Sequence, residues 1–410
     1  MKSFDIPIIY RSPLITAIKG YRKQQDKLKK DFSPTLLPLG RLNIYLARHF
    51  GFCYGVENAI EIAYRTLEEN PGRNIYLLSE MIHNPQVNAD LQDRGIRFLQ
   101  DTLGNPLIPL ASLNKDDIVI IPAFGTTLTM EKQLREKGIA VEKYNTTCPF
   151  VEKVWNRSEQ IAAKGYTIII HGKPNHEETR ATFSHAAATA PTVIVNDMEE
   201  AVLLGDFIRQ QRPEAEFFRL FNGKYSNGFL PSRDLMRIGV VNQTTQLASD
   251  TQAIADFLKQ TVREYFQLDE SDIERHFAET RDTLCYATND NQTAVSGMLE
   301  TPADLALVIG GYNSSNTTHL VELCEEKLPS YFINDEGNLI DENLIEGYDR
   351  HSKKIIRHKD YIPSKDPVNI LVTSGASCPD ALVEGVIRKL ARFHGAEQNL
   401  EQAVDALLGR

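Results

Sequence analysis

The sequence lacks the features that mark membrane, nucleic-acid-binding and disulfide-stabilised proteins. No apolar run approaches the roughly 18–20 residues of a membrane span. The formal net charge of −10 disfavours binding through nucleic-acid phosphates. The five cysteines are an odd number, and the N-terminus has no secretory pattern, so no disulfide framework is expected. We therefore expect a cytoplasmic protein (plastid stroma if the source is plant-type) with no nucleic-acid or membrane partner.

Short apolar runs recur along the chain, and each ends in small polar residues. Because these runs are apolar throughout, rather than alternating, they are typical of parallel strands buried on both faces. The runs are RNIYLL, DDIVII, YTIIIH, TVIVND, RIGVVN, LALVIG and NILVTS. Helical patterns are predicted at 56–68, 151–164, 248–264 and 379–393. The sequence therefore predicts an α/β fold of doubly wound parallel sheets, with ligands at the carboxyl ends of the strands.

Three cysteines, Cys53, Cys148 and Cys285, each lie at the start of a predicted helix, far enough apart for each to have its own domain. The helix dipole at such a position favours the thiolate, so we expect a lowered pKa and a readiness to bind metal. Three thiolates at one centre suit a 4Fe–4S cluster with one open iron better than a structural zinc. The alternative is three unrelated buried cysteines. Cys324, at helical spacing with leucines, is predicted to lie in a core, and Cys378 lacks the flanking pattern of the three.

Neutral polar residues at strand ends predict an anion site. Hydroxyl groups, amides and backbone N–H groups at helix starts bind phosphate or diphosphate, although each residue taken singly is also explained by helix capping. No Walker A sequence is present and no GxGxxG follows a strand, so a nucleotide is disfavoured. The candidate residues are His83, His176, Ser314, Ser315, Asn316 and Ser377.

A candidate proton donor, Glu178, follows another buried strand in the segment HGKPNHEET. A carboxyl group there can deliver protons, and the alternative is a favourable interaction with the helix dipole. Its neighbour Glu177 points about 100° away around the helix, so only one of the two can face a given site. Thr244 and Thr245 end a further strand, where their hydroxyl groups either cap a helix or orient a substrate alcohol.

Taken in order, these motifs resemble the 4-hydroxy-3-methylbut-2-enyl diphosphate reductase (IspH/LytB) family over about residues 43–395. The motifs are GFCYGV, HNPQVN, PAFGTT, NTTCPFVEKVW, HGKPNHEET, NQTT, LCYATNDNQ, GYNSSNTTHL and SGASCPD. The chain is most similar to the longer plant and cyanobacterial branch, which has an N-terminal extension and an insertion, here at about 204–237.

The resemblance implies three similar α/β domains in a pseudo-threefold trefoil around a central iron–sulfur cluster. The implied domains are 43–146, 147–282 and 283–395, with an N-terminal extension at 1–42 and a C-terminal tail at 396–410. One 4Fe–4S cluster would be held by Cys53, Cys148 and Cys285, its fourth iron open to substrate.

The resemblance also implies roles for the other candidates. The implied catalytic residues are Glu178, Thr244 and His176. The implied substrate-binding residues are His83, His176, Thr244, Ser314, Ser315, Asn316 and Ser377. Shorter bacterial members have a histidine where this chain has Phe124, which cannot donate a hydrogen bond, so the local diphosphate contacts are expected to differ.

The implied reaction is the two-electron reductive dehydroxylation of an allylic diphosphate to isopentenyl and dimethylallyl diphosphate. Because iron–sulfur clusters pass one electron at a time, an external donor such as ferredoxin or flavodoxin is also implied. Two alternatives remain at this stage: an iron–sulfur lyase resembling quinolinate synthase, and a non-enzymatic iron–sulfur redox sensor.

Overall fold

The computed structural model describes residues 4–278 and 283–410, which form fourteen α-helices and fifteen β-strands. The helices are α1 (Pro13–Gln25), α2 (Tyr54–Glu69), α3 (Pro85–Asp93), α4 (Leu128–Glu136), α5 (Pro149–Ala162), α6 (Glu177–Ala187), α7 (Met198–Ile208), α8 (Glu214–Leu220), α9 (Pro231–Asp234), α10 (Ala248–Phe266), α11 (Tyr286–Met298), α12 (Ser315–Glu325), α13 (Asp380–Phe393) and α14 (Glu397–Leu408). The strands are β1 (Thr35–Pro38), β2 (Leu42–Leu46), β3 (Ile75–Leu77), β4 (Arg97–Phe98), β5 (Ile118–Ile120), β6 (Thr167–His171), β7 (Thr192–Val195), β8 (Ile238–Asn242), β9 (Phe277–Ala278), β10 (Leu305–Ile309), β11 (Ser330–Ile333), β12 (Leu339–Asp341), β13 (Leu344–Asp349), β14 (Lys354–Lys359) and β15 (Val368–Ser374).

The predicted α/β fold is confirmed. The seven apolar runs contain strands β3, β5, β6, β7, β8, β10 and β15, and the four helical patterns correspond to α2, α5, α10 and α13. Every residue of β6, β8 and β10 is buried, as expected for strands covered on both faces. None of the helices in the described residues is both long enough and apolar enough to cross a membrane.

The chain divides into two compact units, and the first combines residues 4–61, 83–88 and 286–410. Its main sheet has the order β1-β2-β15-β10-β11, in which the pairs from β2 to β11 are parallel and β1 is antiparallel to β2. A separate antiparallel sheet is formed by β12, β13 and β14. Helices α1, α13 and α14 pack together and bury apolar side chains in the core beside the main sheet.

The second unit contains the described residues of 62–82 and 89–285. It has two parallel sheets, with the orders β4-β3-β5 and β7-β6-β8-β9. The predicted insertion at 204–237 includes α8 and α9, and it supplies Phe217, Phe221 and Phe229 to the core of this unit. The ring of Phe217 stacks on the other two at centroid distances of 4.9 and 5.1 Å. The insertion is therefore an integral part of the unit's core.

The two units divide the chain differently from the predicted domain boundaries. Strand β2, expected to open the first domain at 43–146, pairs instead with β15, so residues up to 61 fall in the same unit as 286–410. The predicted boundaries treated each domain as one continuous stretch of the chain. The pairing of β-strands joins segments that are far apart in the sequence, so the units are not continuous. The trefoil arrangement of three domains stays a prediction.

The N-terminal segment from residue 4 is part of the first unit. The helix α1 ends at Gln25, and one of its faces is buried through Leu14, Ile15 and Ile18. It is therefore an amphipathic helix, solvated on one face only.

Candidate functional site

The predicted site residues fall into two sets, and the first set lies in the unit formed by residues 4–61, 83–88 and 286–410. Cys53 directly precedes α2, with its N–H donating to the carbonyl of Ala376 (3.2 Å) and its own carbonyl accepting from Glu57 N–H (3.0 Å). Its side chain is partly exposed, as a metal ligand requires. The preceding turn depends on Gly51, which has φ +79° and stands where a Cβ would clash with the carboxylate of Asp380.

His83 is held against two glycine- and serine-containing turns of the same unit. The Ser377 hydroxyl donates to the His83 carbonyl at 3.2 Å, and both residues are buried. A Cβ at Gly311 would clash with that same carbonyl, so this close approach of two backbones needs glycine. The structure thus brings His83, Ser377 and the end of β10 together.

Asn316 lies at the start of α12 and is only 3% exposed. Its Oδ1 accepts from the N–H of Ala376 at 2.9 Å and from Nδ2 of Asn291 at 3.4 Å. Its own Nδ2 is buried and has no hydrogen-bond partner among residues 4–278 and 283–410. A buried donor without an acceptor is costly, so this amide group is a candidate for binding an external acceptor.

Ser314 and Ser315 differ in role although they are adjacent. Ser314 is the N-cap of α12, and its hydroxyl accepts from Thr317 N–H at 3.2 Å. Ser314 is therefore a helix cap, as the alternative interpretation held. Its hydroxyl oxygen accepts the capping bond, so its hydrogen can be donated to another group. Ser315 is buried as the first residue of the helix.

The second set lies in the unit formed by residues 62–82 and 89–285. Cys148 is the N-cap of α5, and its carbonyl accepts from Val151 N–H at 2.9 Å while its N–H donates to Ala123 (2.9 Å). Cys285 donates its N–H to the carbonyl of Thr244 at 3.1 Å, which places it beside the end of β8. Both side chains are partly exposed. Two of the three predicted ligands are thus at the edge where polar strand ends gather.

The expected low pKa of these thiols is wrong for Cys148 in the metal-free chain. Burial raises its pKa to about 12, and the nearby Cys285 and Glu178 raise it further. The backbone N–H groups of Phe150 and Val151 at the helix start act in the opposite direction but are outweighed. The prediction from sequence considered the helix dipole, which lowers the pKa of a thiol, but it did not consider burial, which raises it. Because a thiol must lose its proton to bind a metal, a metal at Cys148 would have to displace this proton.

Glu178 and Thr244 are joined by two hydrogen bonds. Glu178 is 1% exposed, and its Oε1 accepts from Thr244 N–H at 2.6 Å while its Oε2 accepts from Thr244 Oγ1 at 3.0 Å. Thr244 is also the residue whose carbonyl holds Cys285. A single strand-end residue therefore positions both a carboxyl group and a thiol.

The two adjacent glutamates face different partners, as their spacing predicts. Glu177 is also buried, but its Oε1 accepts from the hydroxyl of Ser79. Glu178 instead interacts with Thr244 and with the Cys148 thiol.

His176 is the N-cap of α6 and accepts Glu178 N–H at its Nδ1 (3.2 Å). This bond requires Nδ1 to be an acceptor, so the neutral ring carries its proton on Nε2 and presents a donor there. The ring of Phe124 meets the His176 ring edge-on at a centroid distance of 5.6 Å. The phenylalanine in the PAFG segment therefore packs against a predicted diphosphate ligand and offers no donor of its own.

Sequence reasoning missed the pair that fixes the chain ahead of Cys285. Thr283 N–H donates to Asn242 Oδ1 at 3.0 Å, and Asn242 N–H donates to Thr283 Oγ1 at 2.9 Å. Both residues are buried. The signal was present in the NQTT motif, which begins at Asn242, but its partner is 41 residues further along the chain.

Gln243 organises the turn that follows β8, and this role was also missed. Its Oε1 accepts from Thr179 Oγ1 at 3.0 Å and from Lys173 N–H at 3.1 Å. Its Nε2 donates to Thr245 Oγ1 at 2.7 Å, so Thr245 belongs to this supporting network.

Cys324 and Cys378 are fully buried in the hydrophobic core of the first unit, unlike the other three cysteines. Burial raises the pKa of Cys324 to about 12 and that of Cys378 strongly. The predicted core position of Cys324 is confirmed.

Within residues 4–278 and 283–410, no group of three or more His, Cys, Asp or Glu side chains is arranged as a metal site. The chemistry of the partly exposed thiols nevertheless fits an iron–sulfur group, because Cys148 and Cys285 are close enough to interact and soft thiolates are its usual ligands.

Comparison with known proteins agrees with the sequence motifs. The family model described as LytB protein matches residues 44–391. The 4-hydroxy-3-methylbut-2-enyl diphosphate reductase of Gloeobacter violaceus is 39% identical over 389 residues, covering 92% of this chain and 91% of that protein. The protein of the same name from Thermosynechococcus vestitus is 38% identical over 384 residues, covering 93% and 89%.

Solved structures show the same fold. The E-1-hydroxy-2-methyl-but-2-enyl-4-diphosphate reductase of Plasmodium falciparum has a TM-score of 0.61 at 23% identity, covering 86% of this chain and 88% of that chain. An (E)-4-hydroxy-3-methyl-but-2-enyl diphosphate reductase, described as the terminal enzyme of the non-mevalonate pathway, has a TM-score of 0.50 at 25% identity, covering 85% and 99%. From its motifs, its fold and these relatives, the chain belongs to the LytB protein family.

Proposed function

We propose that this chain is a 4-hydroxy-3-methylbut-2-enyl diphosphate reductase acting in the methylerythritol phosphate route to isoprenoids. In this reaction the bond between the allylic carbon and its hydroxyl oxygen breaks, and the oxygen leaves as water. Two electrons and two protons are consumed, and the products are isopentenyl and dimethylallyl diphosphate. We place the activity in the cytoplasm.

The observation that carries the proposal is the buried Nδ2 of Asn316, which has no acceptor in the part of the chain that the structure describes. A diphosphate oxygen would supply that acceptor, and the Ser314 hydroxyl retains a hydrogen to donate. We assign the remaining diphosphate contacts to His83, His176, Ser315 and Ser377.

The proton is delivered by Glu178, with Thr244 holding the carboxyl group in place. Both Glu178 oxygens are bonded to Thr244, through its N–H and its hydroxyl, so the carboxyl group has one fixed orientation. The Thr244 hydroxyl also orients the substrate alcohol.

Three partly exposed thiols, those of Cys53, Cys148 and Cys285, would hold one 4Fe–4S cluster. When bound, the cluster supplies the electrons one at a time from an external carrier such as ferredoxin or flavodoxin. The chain's own contribution is to orient the substrate through its diphosphate and to place the proton at the departing oxygen.

The test is anaerobic purification, with iron, sulfide and absorption measured per chain, followed by turnover of the allylic diphosphate under a strong reductant. We expect Cys53→Ser, Cys148→Ser and Cys285→Ser each to lose the brown chromophore or make it labile. Cys324→Ala, in the core, serves as the control and should keep it. A chain that binds the cluster but never turns over the substrate would instead support a redox sensor or a different iron–sulfur enzyme.

A further inference from the structure

The N-terminal segment, residues 4–33, packs along the segment that carries Cys53. We refer to residues 48–54 as the Cys53 loop. The ring of Phe4 meets Tyr54 edge-on at 4.9 Å, and Tyr10 meets Phe52 at 5.9 Å. Further along, Phe32 meets the ring of His49 at 5.9 Å. Contacts are thus spread over the length of the loop.

Lys19, on α1, makes the central contact with this loop. Its Nζ lies 4.3 Å from the centroid of the Phe50 ring and 2.6 Å from Oδ1 of Asp380. A Cβ at Gly51 would lie 2.8 Å from the same Nζ, so the ammonium group sits directly against the turn before Cys53. The ion pair is partly buried, with 32% and 19% of the two side chains exposed. Partial burial and the aromatic ring strengthen such a contact beyond an ordinary surface pair.

The same helix is fastened to α13, which follows the turn containing Ser377. Asp380 is the first residue of α13, and Glu384, one turn later, accepts from the hydroxyl of Ser12. Ser12 is fully buried and caps α1 by accepting from Ile15 N–H at 2.9 Å. The Cys53 N–H in turn donates to Ala376. The N-terminal segment therefore bridges the Cys53 loop and the start of α13.

This attachment has a substantial apolar component. Ile15 is fully buried and Ile18 is 2% exposed, both within the core of the first unit. Fully burying such side chains stabilises the folded state by about 1.5–3 kcal/mol each, so α1 remains docked in the native chain.

We propose that the N-terminal segment is a clamp that holds the Cys53 loop in its metal-binding conformation, with Lys19 as the positioning residue. This inference rests on the proposed function, because it takes Cys53 to be a cluster ligand. Weakening the clamp should release Cys53, while Cys148 and Cys285 keep their own supports at Ala123 and Thr244.

The experiment follows the rate at which each cysteine is alkylated in the anaerobically purified, full-length, iron-loaded protein, resolved by mass spectrometry. Lys19→Met removes the charge and keeps the length of the side chain. We expect alkylation of Cys53 to accelerate about tenfold, because local opening of the loop becomes easier. The rates at Cys148 and Cys285 should stay within about twofold of wild type until the cluster is lost.

Two matched variants control the comparison. Lys19→Arg retains the charge and should restore most of the protection at Cys53. Lys23→Met changes an exposed lysine on the same helix and should behave as wild type.

An unchanged Cys53 rate in Lys19→Met would overturn the clamp. So would a parallel increase at all three cysteines, because that pattern means general loosening of the protein. If the wild-type chain bound no iron, the proposed function would fail, whereas the alkylation of Cys53 would still decide whether Lys19 holds the loop.

Discussion

The two compact units present opposite kinds of polar group in their candidate sites. In the first unit, the Asn316 amide is buried, and its Nδ2 donor has no partner among the described residues. In the second unit, the Glu178 carboxyl group is equally buried, but both of its oxygens are bonded to Thr244. A ligand can supply an acceptor for the Asn316 amide, whereas the orientation of the Glu178 carboxyl group is already set by its bonds to Thr244. We infer from this difference that Asn316 contributes to diphosphate binding and Glu178 to proton transfer.

The largest expected effect comes from Glu178→Gln. Glutamine can retain both bonds to Thr244, accepting from its N–H and donating to its hydroxyl, so shape and packing are kept while the transferable proton is lost. General acid catalysis contributes about 10²–10⁴ in rate, and kcat should fall by that factor. Steady-state kinetics under a strong reductant measure the change.

Glu177→Gln is the matched control, because Glu177 is buried in the same turn but bonds Ser79. We expect nearly wild-type kcat. Equal losses in the two variants would remove the proton-donor assignment and leave the fold and the cluster unaffected.

The next largest effect is expected from Asn316→Ala, which should act on KM. A lost hydrogen bond to a charged group costs about 1.5–3 kcal/mol, so KM should rise by about 10- to 150-fold. The absorption spectrum of the cluster should be unchanged. A normal KM would indicate that Asn316 has only a structural role in the turn, where its Oδ1 accepts from the N–H of Ala376.

Thr244→Val should have a smaller effect than either. It removes the hydroxyl that donates to Glu178 Oε2 at 3.0 Å and keeps the backbone N–H that bonds Oε1. We expect kcat to fall about tenfold. Thr244→Ser, which retains the hydroxyl, should recover most of the loss; a serine variant as slow as the valine variant would show that the methyl group matters instead.

A pair of glycine substitutions tests the first unit's scaffold. Gly311→Ala should destabilise the fold by about 1–3 kcal/mol, because the added Cβ clashes with the His83 carbonyl. Gly20→Ala, inside α1 with open space around it, should stabilise by about 0.5–1 kcal/mol. Thermal unfolding of both variants measures these shifts, and a stable Gly311→Ala protein would contradict the close approach at His83.

The sequence predicts the sheets well where burial is complete. Strands such as β6 and β10 are apolar at every position, and this pattern has few structural alternatives. The different directions of the Glu177 and Glu178 side chains were also predictable, because the angle between successive side chains depends only on the helix period.

Features that depend on distant partners were not predictable. The pairing of β2 with β15, the Asn242–Thr283 bonds and the packing of α1 on the Cys53 loop each join segments far apart along the chain. The antiparallel sheet of β12–β14 was missed because its edge strand β14 is mostly exposed and has no apolar run. The unpaired amide of Asn316 is visible only once its surroundings are known.

The division between binding and proton transfer is tested most directly by measuring the affinity of the oxidised, cluster-containing protein for inorganic diphosphate by calorimetry, since no chemistry occurs under these conditions. Asn316→Asp keeps the Oδ1 acceptor and replaces the unpaired donor with a negatively charged oxygen, so we predict that it weakens binding by at least about tenfold. Glu178→Gln should leave the affinity within about twofold of wild type. Unchanged affinity in Asn316→Asp, or a large loss in Glu178→Gln, would contradict the assignment of diphosphate binding to Asn316 and proton transfer to Glu178.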